Sequence, residues 1–505
     1  MLINTQFILN VLLIASVINY GQSIDVNTTS GVVRGQTLPV LNRKIHEFLG
    51  IPFAEPPVGA LRFARPVPIS TPQKATIDAT VPKNSCIQIP PEDAHELWGN
   101  VTTSEDCLVL NIWTPQAGNT GTTKPKAPAL KPVMFWIYGG GLTTGSIVFH
   151  DFNGSVLAAN DVVLVAPNYR LGPFGFIYGD REDAPGNVRE NIHKFGGDRD
   201  QITIFGQSAG GWSVSAHIIS PLSKGLFARA ILESGSYMNH KDRDVINKTE
   251  ALLLAKDMAQ QLKCNPLEDW LQCLRRADPK DILKFEAEMT FPVEDTDFLP
   301  ISAQKALAFK KFNQDIDLMA GVVRDEGSGF GSHIYQHIEN ITADVFQDLV
   351  LATNKIYHGL DARNVTDFYL NLVDTDQPRE IEWAYDRFVG DLTIKCPTYV
   401  FAKQFAKNNH DGNQSRNVYF YELTYESKFV ANVTNCKRGI CHTADVPFVF
   451  GMPFIIPDQF TEEETYFSKQ MIIMWTNFAK TGVPDISWPQ MMDSKHDIKV
   501  RELNP

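Results

Sequence analysis

The pentapeptide Gly206-Gln207-Ser208-Ala209-Gly210 constrains this chain more than any other feature. It follows the apolar, β-branched run Ile202-Thr203-Ile204-Phe205 and precedes Trp212 to Ile219, a stretch suited to a helix. G-x-S-x-G between a strand and a helix is the pattern of a nucleophile elbow, where the chain turns so sharply that the serine hydroxyl stands exposed above the sheet. Glycines flank the serine because a side chain there would collide with the neighbouring strand or the start of the helix. The same five residues also arise by chance as an ordinary Gly/Ser turn, so the strand before and the helix after carry the reading. Ser208 is predicted to be the nucleophile of a serine esterase.

The surrounding segments fit that placement. Val133 to Tyr138 and Asp161 to Pro167 are short, continuous apolar runs, as strands buried on both faces should be. With Ile202 to Phe205, and Ala230 to Leu232 just after, they predict an α/β fold: an open, mostly parallel sheet with helices on both faces. Glu250 to Lys263, Asp269 to Arg276 and Glu464 to Lys480 carry apolar residues at helical spacing. The Pro/Lys/Thr-rich stretch from Thr120 to Pro132 reads as a surface loop, so residues 24–505 are expected to form one large domain.

A serine hydroxyl is a poor nucleophile until a histidine accepts its proton and an acid orients that histidine. In this fold class the order along the chain is Ser, Asp or Glu, then His. Among twelve histidines, His442 stands out in Gly439-Ile440-Cys441-His442-Thr443-Ala444-Asp445, just before the apolar run Val446 to Phe450. For the acid, Ala320 to Ser328 places Asp325 and Glu326 together at a strand-to-loop junction, and the residues alone do not choose between them. Negative charge developing on the substrate oxygen needs backbone N–H groups aimed at it. Tyr138-Gly139-Gly140-Gly141 follows a predicted strand, and Gly140, Gly141 and Ala209 are the expected donors.

The chain ends and composition narrow the setting. The apolar stretch Phe7 to Val17, followed by small residues at Gly21 and Ser23, predicts a secretory signal peptide over residues 1–23. Eight N-x-S/T sequons, at Asn27, Asn100, Asn153, Asn247, Asn340, Asn364, Asn413 and Asn432, suit a secreted glycoprotein. No second long apolar run or lipid-anchor signal occurs, so no membrane anchor is expected. The net charge of −12 argues against nucleic acid as a partner. Seven cysteines fit an oxidising compartment, with Cys86–Cys107 and Cys264–Cys273 as natural local pairs. Cys396, Cys436 and Cys441 remain, and only two of them can pair with each other. No Cys/His zinc spacing is present, so neither metal nor cofactor is expected.

Further motifs carry a resemblance. They are Phe48 to Gly59 (FLGIPFAEPPVG), Ser104 to Asn111 (SEDCLVLN), Asn168-Tyr169-Arg170-Leu171-Gly172, Phe205 to Gly211, and Phe478-Ala479-Lys480-Thr481-Gly482. Across most of residues 31–490 the chain resembles the type-B carboxylesterase/cholinesterase family, which implies the α/β-hydrolase fold. The resemblance implies Ser208 as nucleophile, Glu326 as acid and His442 as base, leaving Asp325 a structural role. It also implies a bracing pair, Ser234 with Asp445, and the disulfides Cys86–Cys107 and Cys264–Cys273.

Departures from the family pattern shape the expected specificity. Cholinesterases carry Glu where this chain has Gln207, and the neutral amide removes a charge that favours a cationic substrate. Trp98 lies in the Cys86–Cys107 loop, where cholinesterases place a tryptophan that stacks on choline, but a loop tryptophan packed for stability is the simpler reading. The segments Ser236 to His240 and Thr290 to Pro292 are poor in the aromatics of a cholinesterase gorge. About a dozen residues, three helical turns, are missing between Gly186-Asn187-Val188 and Asn191-Ile192 compared with similar proteins. So short a connection is expected to expose the sheet face beside the nucleophile strand. Family members also continue past Pro505 to a partner for Cys396, so here Cys396 is expected to pair with Cys436 or stay free. The leading expectation is a secreted serine carboxylesterase acting on small-molecule esters. The alternatives are a cholinesterase-like enzyme and a non-catalytic adhesion or ligand-sequestering member of the same fold.

Overall fold

A computed structural model describes residues 22–89, 102–117, 129–178, 191–238, 246–286, 292–329, 331, 335, 337–338, 341–355, 357–410, 416–433, 436, 438–492 and 497–505. In chain order the strands are β1 (Ser23–Thr28), β2 (Gly31–Val40), β3 (Arg43–Pro52), β4 (Gln73–Asp78), β5 (Ser85–Cys86), β6 (Thr103–Ser104) and β7 (Val109–Thr114). They continue as β8 (Lys131–Ile137), β9 (Val163–Pro167), β10 (Gly197–Gln207), β11 (Arg229–Glu233), β12 (Asp317–Val323), β13 (Val418–Leu423) and β14 (Arg501–Leu503). Twelve of them form one sheet in the order β1-β2-β3-β7-β9-β8-β10-β11-β12-β13-β14, with β4 pairing β2. The first four contacts are antiparallel. From β9 onward every pair along this path is parallel. This is the expected mostly parallel α/β sheet, and the predicted strands at 133, 161, 202 and 230 are β8 to β11.

Both faces are covered, which is why the central strands read as unbroken apolar runs. One face packs Met134, Trp136, Phe205 and Ile231 against Trp475, Phe478 and other residues of the helix Glu462–Thr481. That helix starts on a capping box, with Thr461 and Glu464 each satisfying the other's backbone N–H, and ends on left-handed Gly482. The other face packs Val133, Ile204, Ala230 and Leu318 against Val214 and Ile218 of the helix Ala209–Ile219 and Phe401 and Phe405 of the helix Cys396–His410. The predicted helices at 250 and 269 are Lys248–Gln261 and Trp270–Arg276.

The family motifs turn out to be buried polar joints. Asn111 of β7 accepts from Gly50 N–H at 2.8 Å and donates to the Ile147 carbonyl at 3.1 Å. Glu105 holds Arg62 through two nearly parallel bonds of 2.7 and 2.5 Å, and Arg62 also donates to the Leu274 and Ala277 carbonyls. A bidentate pair braced in this way fixes the segment between β3 and β4 to the segment after β6 and to the helix Trp270–Arg276.

Cys86–Cys107 and Cys264–Cys273 are disulfides, as expected. The third is Cys436–Cys441, so Cys396 does not pair with Cys436 and is free. The signal-peptide prediction covers residues 1–23, of which 1–21 lie outside the described residues, and its last residue, Ser23, opens β1. No helix of the described residues is long and apolar enough to cross a membrane. The predicted loop at 120–132 and the shortened stretch at 186–190 also lie mostly outside them. Exposure of the sheet face beside β10 does not occur. Ile202 and Ile204 are only 4% and 7% exposed, and Ile192 and Phe195, on a single turn of 3₁₀ helix, sit on that face.

Candidate active site

The carboxyl ends of parallel strands gather the candidate residues on one rim of the sheet, the position where open α/β sheets bind ligands. β10 delivers Gln207 and Ser208, β8 the glycine loop, β11 Glu233 and Ser234, and β12 Asp325 and Glu326. A longer excursion after β13 brings back His442.

Ser208 has φ 56° and ψ −123°, a strained conformation for a residue with a side chain. Its N–H donates to the Glu233 carbonyl at 2.9 Å, and its carbonyl accepts from Trp212 N–H at 2.9 Å, locking the turn between β10 and the helix Ala209–Ile219. A Cβ on Gly206 would lie 2.6 Å from the Ile137 carbonyl oxygen, so the elbow tolerates only glycine there.

The glycine loop packs directly against the elbow. A Cβ on Gly139 would stand 2.9 Å from Ser208 Cβ and 2.8 Å from Gln207 Oε1. Gly140 and Gly141 have positive φ, 111° and 62°. The Gly140 carbonyl accepts from Thr143 N–H at 3.1 Å and Thr144 N–H at 3.0 Å. The helix Ala209–Ile219 begins beside this loop and adds the positive end of its dipole.

Glu326 and Asp325, which the residues alone left open and the family resemblance separated, do different things. Glu326, its side chain fully buried, accepts from Val323 N–H at 2.8 Å and from His442 Nδ1 at 2.6 Å. Asp325 accepts from the Ile440 N–H at 2.9 Å and pairs with Arg324, so it braces the loop that carries the histidine. His442 Nε2 points the other way and lies 3.2 Å from Gln207 Nε2, on the residue before Ser208.

The expected Ser234–Asp445 bond does not form. Asp445 accepts instead from the Tyr421 hydroxyl at 2.8 Å, while Asp445 Oδ1 and Ser234 Oγ have no hydrogen-bond partner among the described residues. A hydroxyl from β13, the strand beside edge strand β14, makes the contact with Asp445 instead of the serine. Sequence reasoning passed over Glu233, an acid at the end of an apolar strand, which is wholly buried and accepts from Trp475 Nε1 at 2.6 Å. Its position at a strand's carboxyl end was the available signal. Burial, reinforced by the charge of Asp445, raises the Glu233 carboxyl well above the usual range. Burial also pushes Asp445 up to about 6; Glu326 adds to the rise, and Tyr421 and His442 oppose it.

Trp98 and the sequons at Asn100, Asn340 and Asn413 lie outside the described residues. Asn27, Asn247, Asn364 and Asn432 are exposed, and Asn153 is half-buried. Among the described residues, one cluster has metal-ligating side chains, Cys264, Glu268 and Cys273, but its two sulfurs are bonded to each other.

A serine on a strained elbow, a glycine loop against it and a histidine held by a buried glutamate make an arrangement suited to acyl transfer. Comparison with known proteins agrees. The model of the carboxylesterase family matches residues 22–504. The chain belongs to the carboxylesterase family. An acetylcholinesterase of Leptinotarsa decemlineata is 32% identical, covering 92% of this chain and 80% of that protein. One of Bungarus fasciatus is 34% identical, covering 91% and 79%, and a cholinesterase of Mus musculus is 34% identical, covering 95% and 83%. Family and relatives together make this chain an ester-hydrolysing serine hydrolase with the α/β-hydrolase fold.

Proposed function

We propose that the protein is a secreted serine carboxylesterase in which Ser208 is the nucleophile, His442 the general base and Glu326 the acid that orients it. The observation that carries this reading is the 2.6 Å contact of His442 Nδ1 with the fully buried Glu326 carboxylate. It places the proton on Nδ1 and leaves the Nε2 lone pair facing the elbow. Ser208 Oγ attacks the ester carbonyl as its proton passes to Nε2. The N–H groups of Gly140, Gly141 and Ala209 receive the oxyanion, the protonated imidazole gives its proton to the leaving alkoxide, and water then releases the acid by the same route. Glycans on the exposed Asn27, Asn247, Asn364 and Asn432 fit a secreted product.

Neutral esters are the proposed substrates, because Gln207 brings no negative charge to the rim. The second reading, a choline esterase, is favoured by the names of the similar proteins. Two measurements test both. Fluorophosphonate labelling with peptide mass spectrometry should mark Ser208, and kcat/KM for butyl butyrate should exceed that for butyrylcholine. A label elsewhere refutes the nucleophile, and a clear advantage for the cationic ester refutes the neutral-ester preference.

A further inference from the structure

Gln207 is the last residue of β10 and only 4% exposed. Its carboxamide is caught between two parts of the rim. Oε1 lies 2.8 Å from where a Cβ on Gly139 would stand, and Nε2 lies 3.2 Å from His442 Nε2. The tautomer decides what this second contact is. His442 Nδ1 faces the Glu326 carboxylate at 2.6 Å, and an ionised carboxylate can only accept, so Nδ1 carries the hydrogen. Nε2 of a neutral imidazole then has one lone pair and no hydrogen, and an amide nitrogen can only donate. The Gln207 N–H therefore points into the same lone pair that must take the Ser208 proton.

We propose that Gln207 is a positioning residue that occupies the acceptor lone pair of His442 in the resting enzyme, supports the neutral imidazole, and gives way to the Ser208 hydroxyl when hydrolysis begins. This rests on the roles given above to Ser208 and His442. As Oγ bonds to the acyl carbon, its proton moves to Nε2 and the amide N–H is displaced; Gln207 neither gains nor loses a proton. A hydrogen bond donated to the neutral form of a base disfavours the charged form. A glutamate at this position would do the reverse, offering a negative charge to the protonated ring. Among the described residues, the charged or titratable groups near His442 include Glu326 and the Asp325–Arg324 pair after β12, Glu233 at the end of β11, Tyr421 of β13 and Asp445 on its own turn. Substitution at Gln207 leaves all of them in place.

The test is the pH profile of kcat/KM on a neutral ester for the wild type, Gln207→Met, which lacks the donor at similar length, and Gln207→Glu. Withdrawing the donor should move the acid limb to higher pH by roughly half a unit in Gln207→Met, and by about a unit or more in Gln207→Glu. A merely structural role predicts a rate lowered by the same factor at every pH, and an unmoved limb in either folded variant overturns the proposal. Should Gln207→Met not fold, the near-isosteric Gln207→Glu decides by the same criterion. A wild type without an acid limb, or a Ser208→Ala protein that still turns over, instead refutes the base or nucleophile assignment and removes the basis of the Gln207 proposal with it.

Discussion

Two neighbouring carboxylates separate at the level of single atoms. Glu326 touches His442, whereas Asp325 holds the Ile440 N–H and the Arg324 guanidinium. Glu326→Gln keeps the shape but removes the charge that fixes the tautomer and stabilises the imidazolium, so kcat should fall roughly 10³- to 10⁴-fold. Asp325→Asn retains an acceptor for Ile440 N–H and should lose far less. Equal losses would show that the two acids share the task. The buried pair behind them gives a prediction about stability. Asp445 has its folded-state value raised to about 6, above the unfolded value of about 3.9. Between those limits the folded state binds more protons than the unfolded one, so this group makes stability fall as pH rises through the window. Asn at this position still accepts from Tyr421 but carries no charge. Asp445→Asn should therefore gain in Tm relative to the wild type between about pH 4 and pH 7. A Tm difference that stays constant across this range would mean that Asp445 does not ionise within it.

At the scale of elements, the histidine is held by a staple that the sequence did not single out. The Cys436–Cys441 disulfide ends one residue before His442, and Thr443, one residue after it, has φ 81°. Its sequence separation is only 5, against 21 for Cys86–Cys107. Chain entropy assigns the shorter loop about 2 kcal/mol and the longer about 3 kcal/mol. The double variant Cys436→Ser/Cys441→Ser should accordingly lose turnover through a loosened His442 more than it loses Tm, and breaking Cys86–Cys107 should do the opposite. Unchanged turnover in the first variant would show that Asp325 and Glu326 suffice to hold the loop. The staple escaped sequence reading because three cysteines remained and spacing alone does not say which two meet. Other parts were legible for definite reasons. β8 to β11 are buried on both faces and read as continuous apolar runs, so their positions and the residues at their ends could be read directly. β1 to β3 lie in the antiparallel half of the sheet, mix exposed and buried positions, and gave no comparable signal. The Tyr421–Asp445 and Trp475–Glu233 bonds join residues 24 and 242 positions apart, and nothing local marks such pairs.

For the whole molecule, the decisive place is the connection from β9 to β10. Parallel strands need a crossover, and a helix usually supplies the apolar cover for the sheet face it crosses. Among the described residues of this connection near β10, a single 3₁₀ turn, Ile192–Phe195, lies on that face. Its hold is specific. Ile192 and Phe195 are each 2% exposed, and the Phe195 ring meets Phe48 edge-on at 5.0 Å. The Phe195 carbonyl accepts from Thr114 Oγ1 at 2.8 Å, and Asn191 exchanges bonds of 3.0 and 2.7 Å with Thr29 at the β1–β2 turn. A cleft of about 40 Å³, partly open to solvent, remains beside the turn, lined by Thr28, Ser30 and Asn191 as well as by Ile51, Leu110 and Val165. Among the described residues of the connection near β10, two side chains thus stand where a helix face would normally spread the load, and the fold is expected to depend on them. Phe195→Ala is expected to cost about 3–5 kcal/mol, enough to lower the yield of folded protein sharply, and Ile192→Ala about 2–5 kcal/mol. Phe309→Ala, at a phenylalanine 67% exposed, is the control and should cost almost nothing. The comparison is read from Tm and from the amount of monodisperse protein recovered for each variant. If Phe195→Ala behaves like the Phe309→Ala control, the sheet face is covered by something other than this turn, and the short connection is no weakness of the molecule.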